Sequence, residues 1–355
     1  MSAAETAATG PALPTAAVGQ GILSSIVAVA LALVCGAVLI AGWGVNPLTA
    51  YAALLNGAFG NWNSLAETLL RAIPLIFTGL AVALAFRGGS FNVGAEGQLF
   101  LGGTAAAWVG LTLTGLPAPV LILLMMLAAI VAAALWSLLA GVLKLRFGAS
   151  ELITTIMLNY VAIELVSYLL HGPLQEAARY LPQTERLPSL ANLPALIPHT
   201  RLNIGFLVAV VVVLLAQFAL WRTIWGFRLR VTGLNARAAL NAGIGVTGMT
   251  VWAFLVSGGL AGLAGYMEVV GVQHRMIENL SPGYGYTGII VALLGQTSPL
   301  GVLAAAILFA ALQVGATTME TAAGVPSTLT TIIQGLVVLF VIGRGALDLL
   351  RRKRS

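Results

Sequence analysis

The chain has 355 residues, 59% of them hydrophobic and only 8% charged, with a formal net charge of +6. Soluble domains carry about 25% charged residues, so the composition excludes a soluble globular domain and reads as an all-α polytopic integral membrane protein. The positive charge does not read as nucleic-acid binding: Arg351, Arg352, Lys353 and Arg354 crowd the C-terminus, and the other basic residues sit between apolar stretches, as in cytoplasmic anchoring.

The first twenty residues are rich in Ala, Thr and Pro and lack Lys and Arg. Without the basic region of a signal peptide, residues 1–21 are predicted to be a disordered cytoplasmic tail leading into an uncleaved first span. Apolar stretches of about 20 residues suit a crossing helix. They fall at 22–42, 64–86 (kinked near Pro74), 96–115, 118–143, 150–171, 202–222, 248–272, 284–296, 299–318 and 326–343. This predicts about ten crossings within one transmembrane domain, 22–345, followed by a basic cytoplasmic tail, 346–355. The short pair 284–296 and 299–318, divided by Gln296-Thr297-Ser298-Pro299, is either two crossings or a re-entrant hairpin. The single cysteine, Cys35, excludes an internal disulfide and a thiol metal site.

Between the first two spans, 43–63 carries Trp43, Tyr51 and Trp62, suited to an interfacial belt. Glu67 and Arg71 stand at i, i+4 and read as a structural ion pair. With both termini cytoplasmic, only Arg71, Arg179, Arg186, Arg201 and Arg275 of the 17 basic residues fall outside. The positive-inside tendency favours that orientation. An external loop, 172–201, holds Pro173, Pro182, Pro188, Pro194 and Pro198. An internal loop, 222–247, is rich in Arg, Asn and Gly. It reads as an extended lead-in, a glycine turn and a short Ala-rich helix ended by Gly243. It is either an ordinary positive-inside loop or a docking segment for a cytoplasmic partner, and the order of the Ala-rich helix favours docking.

The run from Arg87 to Gln98 (RGGSFNVGAEGQ) interrupts this apolar sequence. Glycine loosens the backbone, and a carboxylate at membrane depth is costly unless protein or water surrounds it. Non-helical backbone is tolerated there only inside protein or along a cavity. Asn92, Glu96 and Gln98 therefore either line a solute path or hold a broken helix together through hydrogen bonds. Asn159 lies mid-span and is expected to face protein. Glu151, after the cap residue Ser150, suits a helix start. In the seventh span Gly258, Gly262, Ala261 and Gly265 repeat the small-xxx-small spacing of close helix packing, and Glu268 either lines the path or anchors the span. A second broken stretch, from Pro282 to Gly301, stands in the other half, and broken segments in both halves point to a translocation site near the midplane.

Enzymatic motifs are missing. The two lysines, Lys144 and Lys353, do not follow the glycine pattern of a phosphate loop, and His171, His199 and His274 fall near external ends as interfacial histidines. Glu96 and Glu268 leave open an alternative, an ion-coupled secondary transporter.

Arg87 to Gln98, the segment from Glu151 to Tyr160, Gly233 to Ala239 with Gly243-Ile244, and Tyr284 to Gly295 resemble permease subunits of ATP-binding cassette (ABC) importers. The resemblance covers about residues 65–345. It lies in the ribose and branched-chain amino acid branch, nearest to its nucleoside and simple-sugar permeases. It implies that Asn92, Glu96, Gln98, Asn159 and Glu268 line the translocation path. Arg228, Arg230, Gly233, Asn235, Arg237 and Gly243 would couple to a cytoplasmic ATPase that holds the ATP, this chain having no cofactor of its own. It also implies a second permease subunit as a heterodimeric partner, an extracytoplasmic binding protein or lipoprotein, and a bacterial inner-membrane location.

Overall fold

The computed structural model describes residues 15–352. Thirteen α-helices occur among them, joined by short turns and one long loop. Helix α1 (Thr15–Gly42) turns into α2 (Pro47–Phe59), the two bent by 118°. Asn46 caps α2 by accepting from the Leu48 amide, and Pro47 opens the helix. The 43–63 stretch, expected as an interfacial connection, is thus mostly helical. Helix α1 also takes in residues 15–21, placed in the tail by the sequence reading; Ala16, Ala17 and Gln20 are good helix formers. Residues 1–14 of that tail, and 353–355 of the basic tail, lie outside the described residues.

Helix α3 (Trp62–Arg87) is the axis of the molecule. Asn61 caps it through the Ser64 amide, and it is buried without interruption from Ala72 to Ala85. Helices α4 (Ala95–Thr112), α10 (Val246–Glu268), α11 (Tyr284–Leu294) and α12 (Pro299–Ala323) surround it. Helices α5 (Ala118–Phe147), α6 (Glu151–Leu170) and α7 (Gly205–Arg222) form the periphery, with Leu135, Ile153 and Leu215 more than half exposed. Apolar side chains exposed on the outside of a bundle face lipid in a membrane protein. Helix α13 (Ser327–Arg352) packs on α1.

Six of the described helices are long and apolar enough to cross a membrane, or seven with the bent pair α1–α2 as one span. The sequence reading expected about ten. Helix α4 is long enough but carries Glu96, Gln98 and Thr104, while α11 has only 11 residues. Helix α4 is mostly buried and so needs no continuous apolar surface, while α11 is apolar but shorter than a crossing helix.

The glycines of α10 pack as their spacing predicts. A Cβ on Gly258 or Gly262 would fall 2.5 or 2.4 Å from the carbonyls of Ala133 and Ala129 on α5. One on Gly265 would fall 2.0 Å from the Leu99 carbonyl on α4. Helix α10 is therefore wedged between α4 and α5 at backbone contact. It ends in a π-helical turn, Val269–Gln273.

In the 172–201 loop, Ser189–Ala191 forms one 3₁₀ turn. The loop lies on the 274–278 segment: the Thr184 amide donates to the Met276 carbonyl at 2.9 Å and the Leu187 amide to that of His274 at 2.9 Å. The internal loop departs from its expected form. Its lead-in is not extended but helical, α8 (Ile224–Leu234), capped by Thr223 through the Gly226 amide. The turn falls at Asn235, not at Gly233. The short Ala-rich helix is α9 (Ala236–Asn241), and Gly243 follows it at φ 76°.

Candidate functional site

The interruption at 88–94 is a tight connection between α3 and α4, and side chains meet its free backbone groups. Glu151 accepts from the Phe91 amide and pairs with Lys144. The Thr155 hydroxyl accepts from the Val93 amide at 3.3 Å. The Asn159 amide donates to the Val93 carbonyl at 3.0 Å, and its oxygen accepts from the Gly97 amide at 2.9 Å. Asn92 and Gln98, both buried, pair amide to amide through two 3.0 Å hydrogen bonds. Asn92 also accepts from the Gly94 amide and donates to the Ser257 hydroxyl at 2.8 Å, and Ser257 donates to the Ala81 carbonyl at 2.7 Å. Each arm of the Asn92 amide is therefore occupied within the protein, tying the connection to α10 and α3.

Glu96 has different surroundings. It stands in the first turn of α4 and is buried. Its carboxylate accepts from the Gly285 amide at 2.6 Å, at the N-terminus of α11. The Ser281 hydroxyl and the Gly283 and Tyr286 amides complete the ring around it. Unpaired amides give a helix start a partial positive charge that favours an anion. Two helix starts, α4 and α11, thus converge on one carboxylate. They meet beside Thr78 near the middle of α3, where the Thr78 hydroxyl donates to the Tyr284 carbonyl at 3.1 Å. Gly285 permits the approach, since a Cβ there would lie 2.2 Å from the Glu96 amide nitrogen.

Directly above this junction is a cavity of roughly 460 Å³. Ser281 and Tyr284 form its floor, while Glu67, Arg71, Arg201 and Glu268 supply its charge. Arg71 donates to Glu67 at 3.1 Å, and Arg201 stands 3.9 Å from the other Glu67 oxygen. Glu268 comes to the cavity wall from the end of α10. Sequence reasoning left Glu67 and Arg71 as a structural pair and did not single out Arg201 or Tyr284. An ion pair in the first turns of an otherwise apolar helix was the available signal.

The opposite end of the bundle carries α8 and α9. Arg87 and Arg230 flank the Trp221 ring at 5.5 and 4.4 Å. Arg87 donates to the carbonyls of Thr297 and Gln296 at 3.2 and 3.1 Å, in the turn between α11 and α12. Gly233 lies against the end of α3, where a Cβ would fall 2.1 Å from the Arg87 carbonyl. Asn235 caps α9 through the Arg237 and Ala238 amides. Arg228, Asn235, Arg237 and Gly243 are exposed.

The structure thus gathers the sequence-predicted residues into separate places. Asn92, Gln98 and Asn159 sit in the hydrogen-bonded brace, Glu96 at the paired helix starts, Glu268 at the cavity, and the six loop residues at the far end.

The profile of the family described as "Branched-chain amino acid transport system / permease component" matches residues 64–342. The chain belongs to that family. Among its relatives is the glucose ABC transporter permease protein TsgB13 of Haloferax volcanii, 40% identical over 327 residues, covering 89% of this chain and 86% of that one. The guanosine ABC transporter permease protein NupP of Bacillus subtilis is 37% identical over 323 residues, 90% and 92% of the two chains. The nucleoside ABC transporter permease protein NupB of Lactococcus lactis is 32% identical over 329 residues, 90% of each. This permease is therefore a transport component of the ABC class, in place of the ion-coupled alternative, and works in a cell membrane.

Proposed function

We propose that this permease carries a nucleoside or a simple sugar inward, as one of two permease subunits around a shared path. The observation that carries the reading is the convergence of two broken-helix starts on buried Glu96, directly beneath a polar cavity. The names of the relatives, which include glucose, guanosine and nucleoside ABC transporter permeases, support the solute class. In this reading Glu96 and Glu268 lie along the path, while Asn92, Gln98 and Asn159 hold its wall in shape.

Both termini lie in the cytoplasm of a bacterial cell and the cavity opens outward. The grouping of Arg87, Lys144, Arg146, Arg222 and Arg228 at the α8 end supports this orientation. Helices α8 and α9, with Arg228, Arg230, Gly233, Asn235, Arg237 and Gly243, seat a separate cytoplasmic ATPase that holds the ATP. A binding protein or lipoprotein delivers solute at the other face. Deleting the ATPase abolishes uptake of whichever of radiolabelled guanosine and glucose the transporter carries; uptake that persists in ATPase-null cells overturns the proposal.

A further inference from the structure

Resting on the importer reading, we propose that the outer cavity is a receiving site for an uncharged solute bearing vicinal hydroxyls, with Glu268 as the residue that selects it. The argument is one of size, charge balance and hydrogen-bonding capacity. The cavity, roughly 460 Å³, falls within the range of about 300–1,000 Å³ that encloses small ligands.

Its charges are internally compensated. Two guanidinium groups, Arg71 and Arg201, face the Glu67 carboxylate at 3.1 and 3.9 Å. Glu268 supplies a second carboxylate on the facing wall. A phosphate or a free carboxylate drawn to Arg71 or Arg201 would stand beside the Glu67 carboxylate and in the same cavity as Glu268. Like charges at such range are disfavoured. A neutral solute meets no such opposition.

Glu268 is only 6% exposed. Gln273 is its side-chain partner, and among the described residues no guanidinium comes within ion-pair distance. A buried carboxylate is costly unless donors reach it. Its two oxygens match the two O–H donors of a vicinal diol, and the Gln273 amide in the same wall both donates and accepts. A ribose and a hexose share that diol.

The test uses the complete transporter in spheroplasts, with the native Cys35 replaced by Ser and Asn279→Cys as a reporter at the exposed rim. A membrane-impermeant thiol reagent labels the reporter, and the rate is followed with and without solute. Guanosine and glucose are the two arms that separate a riboside from a hexose. At least one is expected to slow labelling threefold or more, while guanosine 5′-monophosphate, glucose 6-phosphate and 2′,3′-dideoxyguanosine do not. Glu268→Gln is expected to raise the solute concentration for half-maximal protection at least tenfold and leave the solute-free labelling rate unchanged, showing that the cavity is still formed. Glu268→Asp, which keeps the charge, retains part of the protection.

Equal labelling with and without both neutral solutes, or equal protection by the phosphates, overturns the proposal, as does protection that survives Glu268→Gln. ATP-dependent uptake is measured on the same cells. Its absence with protection intact would overturn the importer reading and leave the site standing; its presence without protection would do the reverse.

Discussion

At the scale of the residue, the amides and the carboxylate of the 87–98 run divide the work. Asn92 and Gln98 spend their hydrogen-bonding capacity on each other, on Ser257 and on the Gly94 amide. Asn92→Ala would leave the Gln98 amide and Ser257 short of partners in a dry interior, at about 1–3 kcal/mol for each unsatisfied group. A lower melting temperature and reduced yield of assembled transporter are expected, measured by thermal denaturation and detergent-resistant recovery. Glu96→Gln behaves differently. The neutral amide keeps an acceptor for Gly285 but turns an N–H toward the other helix-start amides and removes the charge that they favour, about 0.3–2 kcal/mol. Assembly is expected to survive while uptake falls at least tenfold; unchanged uptake at normal expression would remove Glu96 from the path. The residue types of this run were legible in the sequence because Asn, Glu and Gln at membrane depth demand an explanation. Which of them pairs with other side chains and which meets the start of α11 was not, since Ser257, Gly285 and Ser281 lie more than 150 residues away along the chain.

At the scale of the element, the sequence pattern gave apolar helices their extent but not their neighbours. Helix α5 begins with Pro at its first turns and ends at Gly148, at φ 65°, so its boundaries follow from local chemistry. Helix α8 stands where the sequence suggests an extended lead-in and a glycine turn. Gly226 instead packs beneath the Leu220 carbonyl and Gly233 beneath that of Arg87, where a Cβ would fall 2.4 and 2.1 Å away. These glycines serve close approach, not flexibility. Gly233→Val would push α8 off the end of α3. It is expected to leave ATP hydrolysis by the assembled complex measurable but to cut solute uptake per ATP at least fivefold, scored by parallel hydrolysis and transport assays in proteoliposomes. An unchanged ratio would mean that this contact transmits nothing.

At the scale of the whole molecule, charge is distributed by end. The basic residues around Trp221 and on α8–α9 gather opposite the cavity, whose own charges balance. The hydropathy pattern carried the all-α membrane class directly, because the charged fraction alone excludes the alternative. It overcounted the crossings because apolar content records burial in protein as readily as burial in lipid. Helix α11 could not be told from a short span by composition, and only its position against α3 and α12 shows it enclosed. The orientation has its own check. With Cys35 replaced by Ser, a cysteine at Arg237 should react with a membrane-impermeant thiol reagent only in inside-out vesicles, and one at Arg179 only in right-side-out spheroplasts. The reverse pattern would invert the topology.

Helix α11 is held at both ends. Its start is pinned to Glu96 and Thr78, and the turn after its end is gripped by Arg87, whose carbonyl rests on Gly233 of α8. A short beam fixed this way cannot slide, so it answers a push by tilting. With 11 residues, it is about 16 Å long, and a tilt of about ten degrees moves its far end by about 3 Å, the width of a water molecule. A movement of α8 too small to reshape the bundle would then be felt as a load on the hydrogen bonds that join Glu96 and Thr78 to the start of α11.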